Sequence, residues 1–486
     1  MSYWVLNYLI TAGWLLVLIA QAMRTSTQVV DETLILGKWS VAFTAVLGVW
    51  GLGGLIHLYL FTRTGIGRKI FRTEVLLTLI STVAFLGVAE LAARQLDLFP
   101  ANSLTSNLSS NSARKDPIFG GRFKSNALGH DADGWRNVKV PEDVDWLFLG
   151  DSMTYGSGVG LDEAYPYVVG ANAGRQTYNL STPGFGPAEY LHGYREYGRD
   201  LAPEIVTIGI TFGNDLFDLT SVNHDRWNGL GIDTSMIVVD RSDPTNVRET
   251  FTSYLGTATV PPGFAERLFK GVRQRLNQNS ALARAFVDPP GRIRREPKWF
   301  EAANVLSAEK TKSLPKAIRY VGEDPPFFVY SDELVRTVFT PTRRLIPVDL
   351  SFPTIRAAVD VTNEIIGVLA SEVEADGGQL VVIFIPTKEE VYYQYLLDRA
   401  VDLPKSFQSL AVNTAEIKET FTGFIAQLGI CLLDTTPVLS EAASQGFPLF
   451  FHDNDGHPAV IGHEVIAEYL TGELSRLEQG EDCQSN

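Results

Sequence analysis

Three stretches within the first 95 residues constrain this chain most, because they are almost free of charge over lengths that match a lipid bilayer. Residues 3–23 (YWVLNYLITAGWLLVLIAQAM) contain no Asp, Glu, Lys or Arg, residues 41–61 hold only His57 as an ionisable group, and residues 75–93 are apolar until Glu90. At about 1.5 Å of helical rise per residue, such runs can cross a hydrocarbon core of about 30 Å. They are read as three transmembrane helices, with Glu90 at the interface or inside the helix cluster and His57 bonded across to a neighbouring helix. The bland alternative is a buried helical hairpin in a water-soluble domain. Ala20-Gln21-Ala22 imitates the small-residue cleavage site of a secretory signal. However, no Lys or Arg precedes the first run, which is longer than the roughly 7–15 residues of a signal's apolar region.

The loop between the second and third runs holds Arg63, Arg68, Lys69 and Arg72. The positive-inside rule makes that loop cytoplasmic, so everything after residue 93 is expected on the extracytoplasmic side, periplasmic or extracellular. Composition narrows the partners. With 41 Lys plus Arg against 56 Asp plus Glu, the formal charge is −15, which excludes a basic nucleic-acid-binding protein. The two cysteines, Cys431 in an apolar stretch and Cys483 in a polar tail, cannot make a disulfide framework. Cys431 is read as a small buried hydrophobe, and a single bridge is not expected.

Residues 101–116 (ANSLTSNLSSNSARKD) have the Ser and Asn content of a linker. Beyond it, short apolar runs alternate with amphipathic segments, the pattern of an α/β sandwich around a mostly parallel sheet. The expected strands are 145–149, 177–180, 205–211, 379–385 and 430–434, and the expected helices include 187–197, 355–375, 388–397, 414–428 and 460–477. Gly377 and Gly378 are expected to stop the second of these helices. The chain is therefore divided into an anchor (1–95), a linker (96–120), a first half-domain (121–221), an insertion or lid (222–350), a second half-domain (351–478) and a tail (479–486). Within the insertion, residues 264–320 hold 13 Lys or Arg against 5 Asp or Glu. That stretch is read as a solvated helical face, with contact to anionic headgroups or an acidic polymer as the sharper alternative.

Four short blocks carry the chemistry. The first strand runs into Gly150-Asp151-Ser152, and a Ser at the carboxyl edge of a parallel strand stands where open α/β sheets bind ligands. Alone the tripeptide is weak, because Asp and Ser also cap helices. After the second strand comes a turn with Gly184, where backbone can approach a bound oxygen closely. After the third comes Phe212-Gly213-Asn214-Asp215, whose Asn214 amide can reach the same place. Near the end, Asp453-Asn454-Asp455-Gly456-His457-Pro458 precedes a helix. Asp151 and Asp215 are read as cap and turn residues.

In order and spacing these blocks resemble those of the SGNH hydrolases, the GDSL esterases and lipases. The resemblance implies a three-layer αβα sandwich with a mostly parallel, flavodoxin-like five-stranded sheet, here preceded by transmembrane helices. It implies Ser152 as nucleophile, His457 as its base, and the Ser152 backbone, Gly184 and Asn214 as oxyanion donors. It implies no cofactor and no metal. The pattern departs from the family at one position, since the orienting Asp three residues before the His is replaced by Asn454. Asp455 and Asp453 both remain available, and Asp455 is preferred. A D-x-H spacing is similar to the branch of polysaccharide O-acetyltransferases, as is the segment Ile385-Pro386-Thr387-Lys388-Glu389-Glu390-Val391-Tyr392, which looks like PxKxxVY.

The expected activity is thus an extracytoplasmic, membrane-anchored serine esterase acting on an acyl ester of a carbohydrate or lipid. An O-acyltransferase for a cell-surface polysaccharide would use the same triad. A non-catalytic envelope protein, binding polysaccharide or an assembly partner, is the reading from another class. His452, Asp453, Asp455, His457 and His463 are of metal-ligating types, but no second cluster completes such a site.

Overall fold

The computed structural model describes residues 121–126, 129–220, 328–452 and 455–483, with short pieces at 34–35, 39–40, 87, 113–114, 116, 118–119, 231–232 and 237. The chain divides into two compact units, 1–98 with 289–298, and 99–288 with 299–486. In the first, Leu34–Ile35 pairs antiparallel with Trp39–Ser40. The expected spans at 3–23, 41–61 and 75–93 lie outside the described residues but for position 87, as do most of the linker and of 222–327. Among the described residues, no helix is long and apolar enough to cross a membrane.

The second unit is built on strands β1 (Trp146–Leu149), β2 (Thr177–Asn179) and β3 (Ile205–Ile210), a hairpin of β4 (Phe328–Ser331) and β5 (Arg336–Phe339), then β6 (Gln379–Phe384) and β7 (Cys431–Asp434). Five of them form one sheet in the order β2-β1-β3-β6-β7, every pair parallel. The chain therefore steps outward from β1 to β2, then back across β1 to β3, and onward in the other direction. In a sheet with that order the crevice for a ligand opens beyond the carboxyl ends of β1 and β3.

Both faces are covered, so the strands read as almost unbroken apolar runs whose side chains alternate between two cores. Leu147 and Leu149, Val206, Ile208 and Ile210, and Leu380, Val382 and Phe384 enter one core. Trp146 and Phe148, Ile205, Val381 and Ile383, and Cys431 and Leu433 enter the other.

Among the described residues, ten helices surround the sheet: α1 (Ser152–Tyr155), α2 (Tyr165–Ala173), α3 (Pro187–Gly193), α4 (Asp215–Leu219), α5 (Pro341–Leu345), α6 (Pro353–Ala375), α7 (Lys388–Asp398), α8 (Lys405–Gln427), α9 (Thr436–Ser444) and α10 (Val460–Glu478). α3, α6 and most of α8 pack on the first face, and α2, α7, α9 and α10 on the second. α6 shows why. Ile355, Ala358, Thr362, Ile365, Leu369 and Val373 recur at three- and four-residue spacing and are buried. The helix ends where expected, with Gly377 in the left-handed region (φ 88°) and Gly378 N–H donating to Val373 O at 2.9 Å.

Three differences from the sequence reading have physical causes. α8 begins at Lys405, nine residues before the expected start, because Phe407 and Leu410 extend the same buried stripe through a run of polar neighbours. Residues 335–348, assigned to the insertion, supply Val335 and Phe339 to one core and Ile346 and Val348 to the other. The third is a correction. Cys431 and Cys483 form a disulfide, Cα to Cα 5.5 Å across 52 residues. α10 packs against α2 and α9, and after the turn at Gly480 (φ 78°) the tail reaches the edge strand β7 at Cys431.

Candidate active site

The three carboxyl ends β1, β2 and β3 lie side by side, and the blocks picked out in the sequence follow them. β1 delivers Asp151 as the cap of α1, its Oδ1 accepting from Met153 N–H at 2.8 Å, which sets Ser152 at the first helical position. There the backbone N–H has no partner within the helix. Buried Arg136 steadies the chain beyond α1, donating to Tyr155 O (2.7 Å), Gly156 O (2.5 Å) and Val159 O (2.5 Å).

Ser152 Oγ lies 2.8 Å from His457 Nε2, although the two residues are 305 apart in sequence. Asp455 Oδ1 lies 2.5 Å from His457 Nδ1 and also accepts the His457 backbone N–H at 3.0 Å. With the Nδ1 proton directed to that carboxylate, Nε2 is the acceptor for the serine hydroxyl. Asp453, the other candidate, lies outside the described residues. His457 remains about a quarter exposed at 26%, so the relay opens to solvent.

The loop that carries Asp455 and His457 is held at both ends and in the middle. Phe450 bridges to Pro458, and Ala459 N–H donates to Leu449 O at 2.8 Å. From below, Lys388, 1% exposed, donates from Nζ to Asp455 O (2.9 Å), Phe451 O (3.1 Å) and Thr337 Oγ1 (3.2 Å). Lys388 stands at the Lys of the PxKxxVY-like segment. The sequence pointed to the segment without revealing this bracing role, because its acceptors come from β5 and from the region after α9.

The expected oxyanion groups are placed as follows. Gly184 has φ 82°, a left-handed conformation that favours glycine, and the space beside its Cα is open. The turn is closed by Phe185 N–H donating to Thr182 O at 3.1 Å. Asn214 caps the start of α4, but its Nδ2 donates to Asp151 Oδ2 and, at 3.4 Å, to Asp218 Oδ2, while its Oδ1 is buried without a hydrogen bond. Both amide hydrogens thus face carboxylates. Asp215 is fully buried, accepting Tyr190 O–H at 2.8 Å and Thr211 N–H at 2.6 Å. Burial, reinforced by the nearby Asp151 charge, pushes its carboxyl well above the usual range.

The histidines considered as metal ligands are engaged elsewhere. His452 Nδ1 pairs with Arg336 O at 2.8 Å, and His463 is buried beneath α2 with Nδ1 at 3.4 Å from Tyr165 N–H. Burial, then the charge of Arg136 and the proximity of His457, pull the His463 imidazole down to about 3. One group at the site escaped the sequence reading altogether. Arg344 of α5 lies against Gly213 and Gly456, which directly precede Asn214 and His457. It lies in the stretch assigned to the insertion, and no motif includes it.

No protein-family model matches the chain, and no curated protein matches it. Among solved structures it is similar to a protein assigned to the G-D-S-L lipolytic family from Desulfitobacterium hafniense, with 10% identity and a TM-score of 0.30, covering 68% of this chain and 98% of that one. It is similar to a catalytic mutant of an acetylxylan esterase from Geobacillus stearothermophilus, with 12% identity and a TM-score of 0.29, covering 71% and 97%. A protein described as a GDSL-like lipase from Parabacteroides merdae has 13% identity and a TM-score of 0.26, covering 69% and 99%. At these scores the likenesses carry no argument about family, substrate or activity.

Proposed function

We propose that the chain is a membrane-anchored serine esterase of the SGNH type, acting on ester-linked acyl groups of a carbohydrate or lipid outside the cytoplasm. The observation that carries the proposal is the relay Ser152 Oγ, His457 Nε2, His457 Nδ1, Asp455 Oδ1, closed at 2.8 and 2.5 Å. It stands at the sheet crevice between β1 and β3.

In the proposed reaction Ser152 Oγ attacks the acyl carbon while Nε2 takes its proton. The tetrahedral intermediate places its negative oxygen toward the N–H groups of Ser152 and Gly184, with Asn214 exchanging its long 3.4 Å bond to Asp218 for the same oxygen. The alcohol leaves with the proton from the imidazolium, and Asp455 stabilises that cation throughout. Water, deprotonated by Nε2, then attacks the acyl-serine, releasing the acid and restoring the hydroxyl. Lys388 acts as a positioning residue beneath Asp455.

An extracytoplasmic setting is supported by the basic loop between the second and third apolar runs. The Cys431–Cys483 bridge also supports it, since disulfides persist in oxidising compartments. The test is direct. A fluorophosphonate probe is expected to label the wild-type chain and not Ser152→Ala, with acetate released from acetylated oligosaccharide by the wild type alone. An unlabelled wild type refutes the esterase, and acetyl transferred to an added oligosaccharide in place of free acetate reassigns the acceptor from water to sugar.

A further inference from the structure

We infer that Arg344 selects anionic substrates: its guanidinium receives a carboxylate or comparable monoanion carried beside the acyl group that Ser152 attacks. The inference rests on the esterase reading above and deepens it by naming a substrate class.

Arg344 stands between the two loops that bear Asn214 and His457. A Cβ added at Gly456 would collide with Nη2 and fall 3.0 Å from Cζ, and one added at Gly213 would fall 3.7 Å from Cδ and collide with Thr387. Neither glycine has a positive φ. The guanidinium therefore packs directly against the backbone before His457, where a side chain would displace it, and the backbone conformation itself does not call for glycine. Gly456, beside His457, gives the cation its close approach, while the tight contact at Gly213 is with Thr387.

That cation is poorly satisfied from within the protein. The side chain is only 12% exposed, and among the described residues the nearest carboxylate oxygen, Glu389 Oε2, stands 4.0 Å from Nε. The other oxygen of Glu389 accepts Thr340 N–H at 2.7 Å. Nε of Arg344 is buried without a hydrogen bond, and among the described residues neither Nη nitrogen makes one. A guanidinium offers five donors in a planar fork shaped for carboxylate, and donors left unmet under partial burial cost free energy until a ligand meets them. Around Ser152 the carboxylates are Asp151, Asp218 and Asp455, with Glu389 behind Arg344, while the ammonium of Lys388 and the guanidinium of Arg136 are both engaged with backbone carbonyls. An anionic substrate would be repelled there without a cation on the same rim.

The full-length protein in detergent is tested with 2-, 3- and 4-acetoxybenzoate and with their methyl esters, which carry the same reacting acetate without the charge. The expected result is that Arg344→Met lowers the ratio of kcat/KM for the acid over its methyl ester by about 10- to 100-fold, the range of one charge-assisted hydrogen bond. Arg344→Lys should keep the larger part of the ratio. In the wild type, free benzoate should inhibit methyl-ester hydrolysis at concentrations at least about 10-fold lower than benzamide, a comparison that needs no variant to fold. An unchanged ratio in Arg344→Met, an equal fall on both substrates, or equal inhibition by benzoate and benzamide overturns the inference while leaving the esterase standing. A wild-type chain that neither labels at Ser152 nor cleaves any of these esters overturns the esterase reading, and this inference with it.

Discussion

Lys388 shows how a residue remote from the reacting atoms can govern them. Its bonds to Thr337, Phe451 and Asp455 span three segments, so removing the ammonium loosens the loop on which both Asp455 and His457 ride. Lys388→Met should lower kcat by about 10- to 100-fold, because misplacement of a relay by about 1 Å costs on that order. KM should stay within about 3-fold, and steady-state kinetics would show whether the loss falls on kcat alone. A parallel rise in KM would mean that the pocket itself had collapsed. His463 makes a prediction of a different kind. Its folded-state value of about 3 lies below its ordinary 6.5, so between those limits the unfolded chain binds more protons than the folded one. Stability is full above about pH 6.5 and falls as pH drops toward 3, by up to about 1.4 kcal/mol per pH unit. Asp215, raised by burial, acts in the opposite sense, so the contribution is read from a difference. Urea unfolding of wild type and His463→Gln across that range should diverge with this slope, and parallel pH profiles would refute it.

At the level of elements, the five strands of the parallel sheet were legible to within a residue, since each is an apolar run bounded by polar or turn residues, whereas the hairpin of β4 and β5 lay unread in the stretch assigned to the insertion. Three helix starts fell on the expected residue, at Pro187, Lys388 and Val460, whereas α8 and α1 escaped the pattern. α8 hides Phe407 and Leu410 among Ser, Gln and Lys, and α1 is a single turn whose role is to aim Ser152. The glycine turn after β2 is an intermediate case, visible as a motif but not as a conformation. Its Gly184 has φ 82° with open space beside the Cα, so Gly184→Ala strains the backbone without a steric clash. The expected cost is about 1–2 kcal/mol of stability, with a fall in kcat as the N–H swings away from the intermediate. Denaturant unfolding paired with kinetics checks both, and an alanine variant as stable as wild type would show that the turn relaxes freely.

The whole molecule is tied together by contacts that no local pattern foretells. The Cys431–Cys483 bridge joins the last strand of the sheet to the tail beyond α10. Replacing both cysteines with Ser should cost about 2–4 kcal/mol, and reductant should shift the urea midpoint of the wild type but not that of the variant. Protein taken from native membranes without reductant should resist alkylation at both cysteines. Labelled thiols would contradict an oxidising location. The sequence by itself determined the alternation of strands and helices, the apolar runs of membrane length, and the order of the Ser152, Gly184, Asn214 and His457 blocks. All of these are written in short-range periodicity and turn chemistry. Only the tertiary structure decided that β1 and β3 are neighbours and that Asp455 meets the His457 ring. It alone brought Cys483 back to Cys431 and wedged Arg344 between Gly213 and Gly456. Such meetings depend on strand order and on side chains hundreds of residues apart, and nothing in a local stretch of chain encodes which distant partner will close upon it.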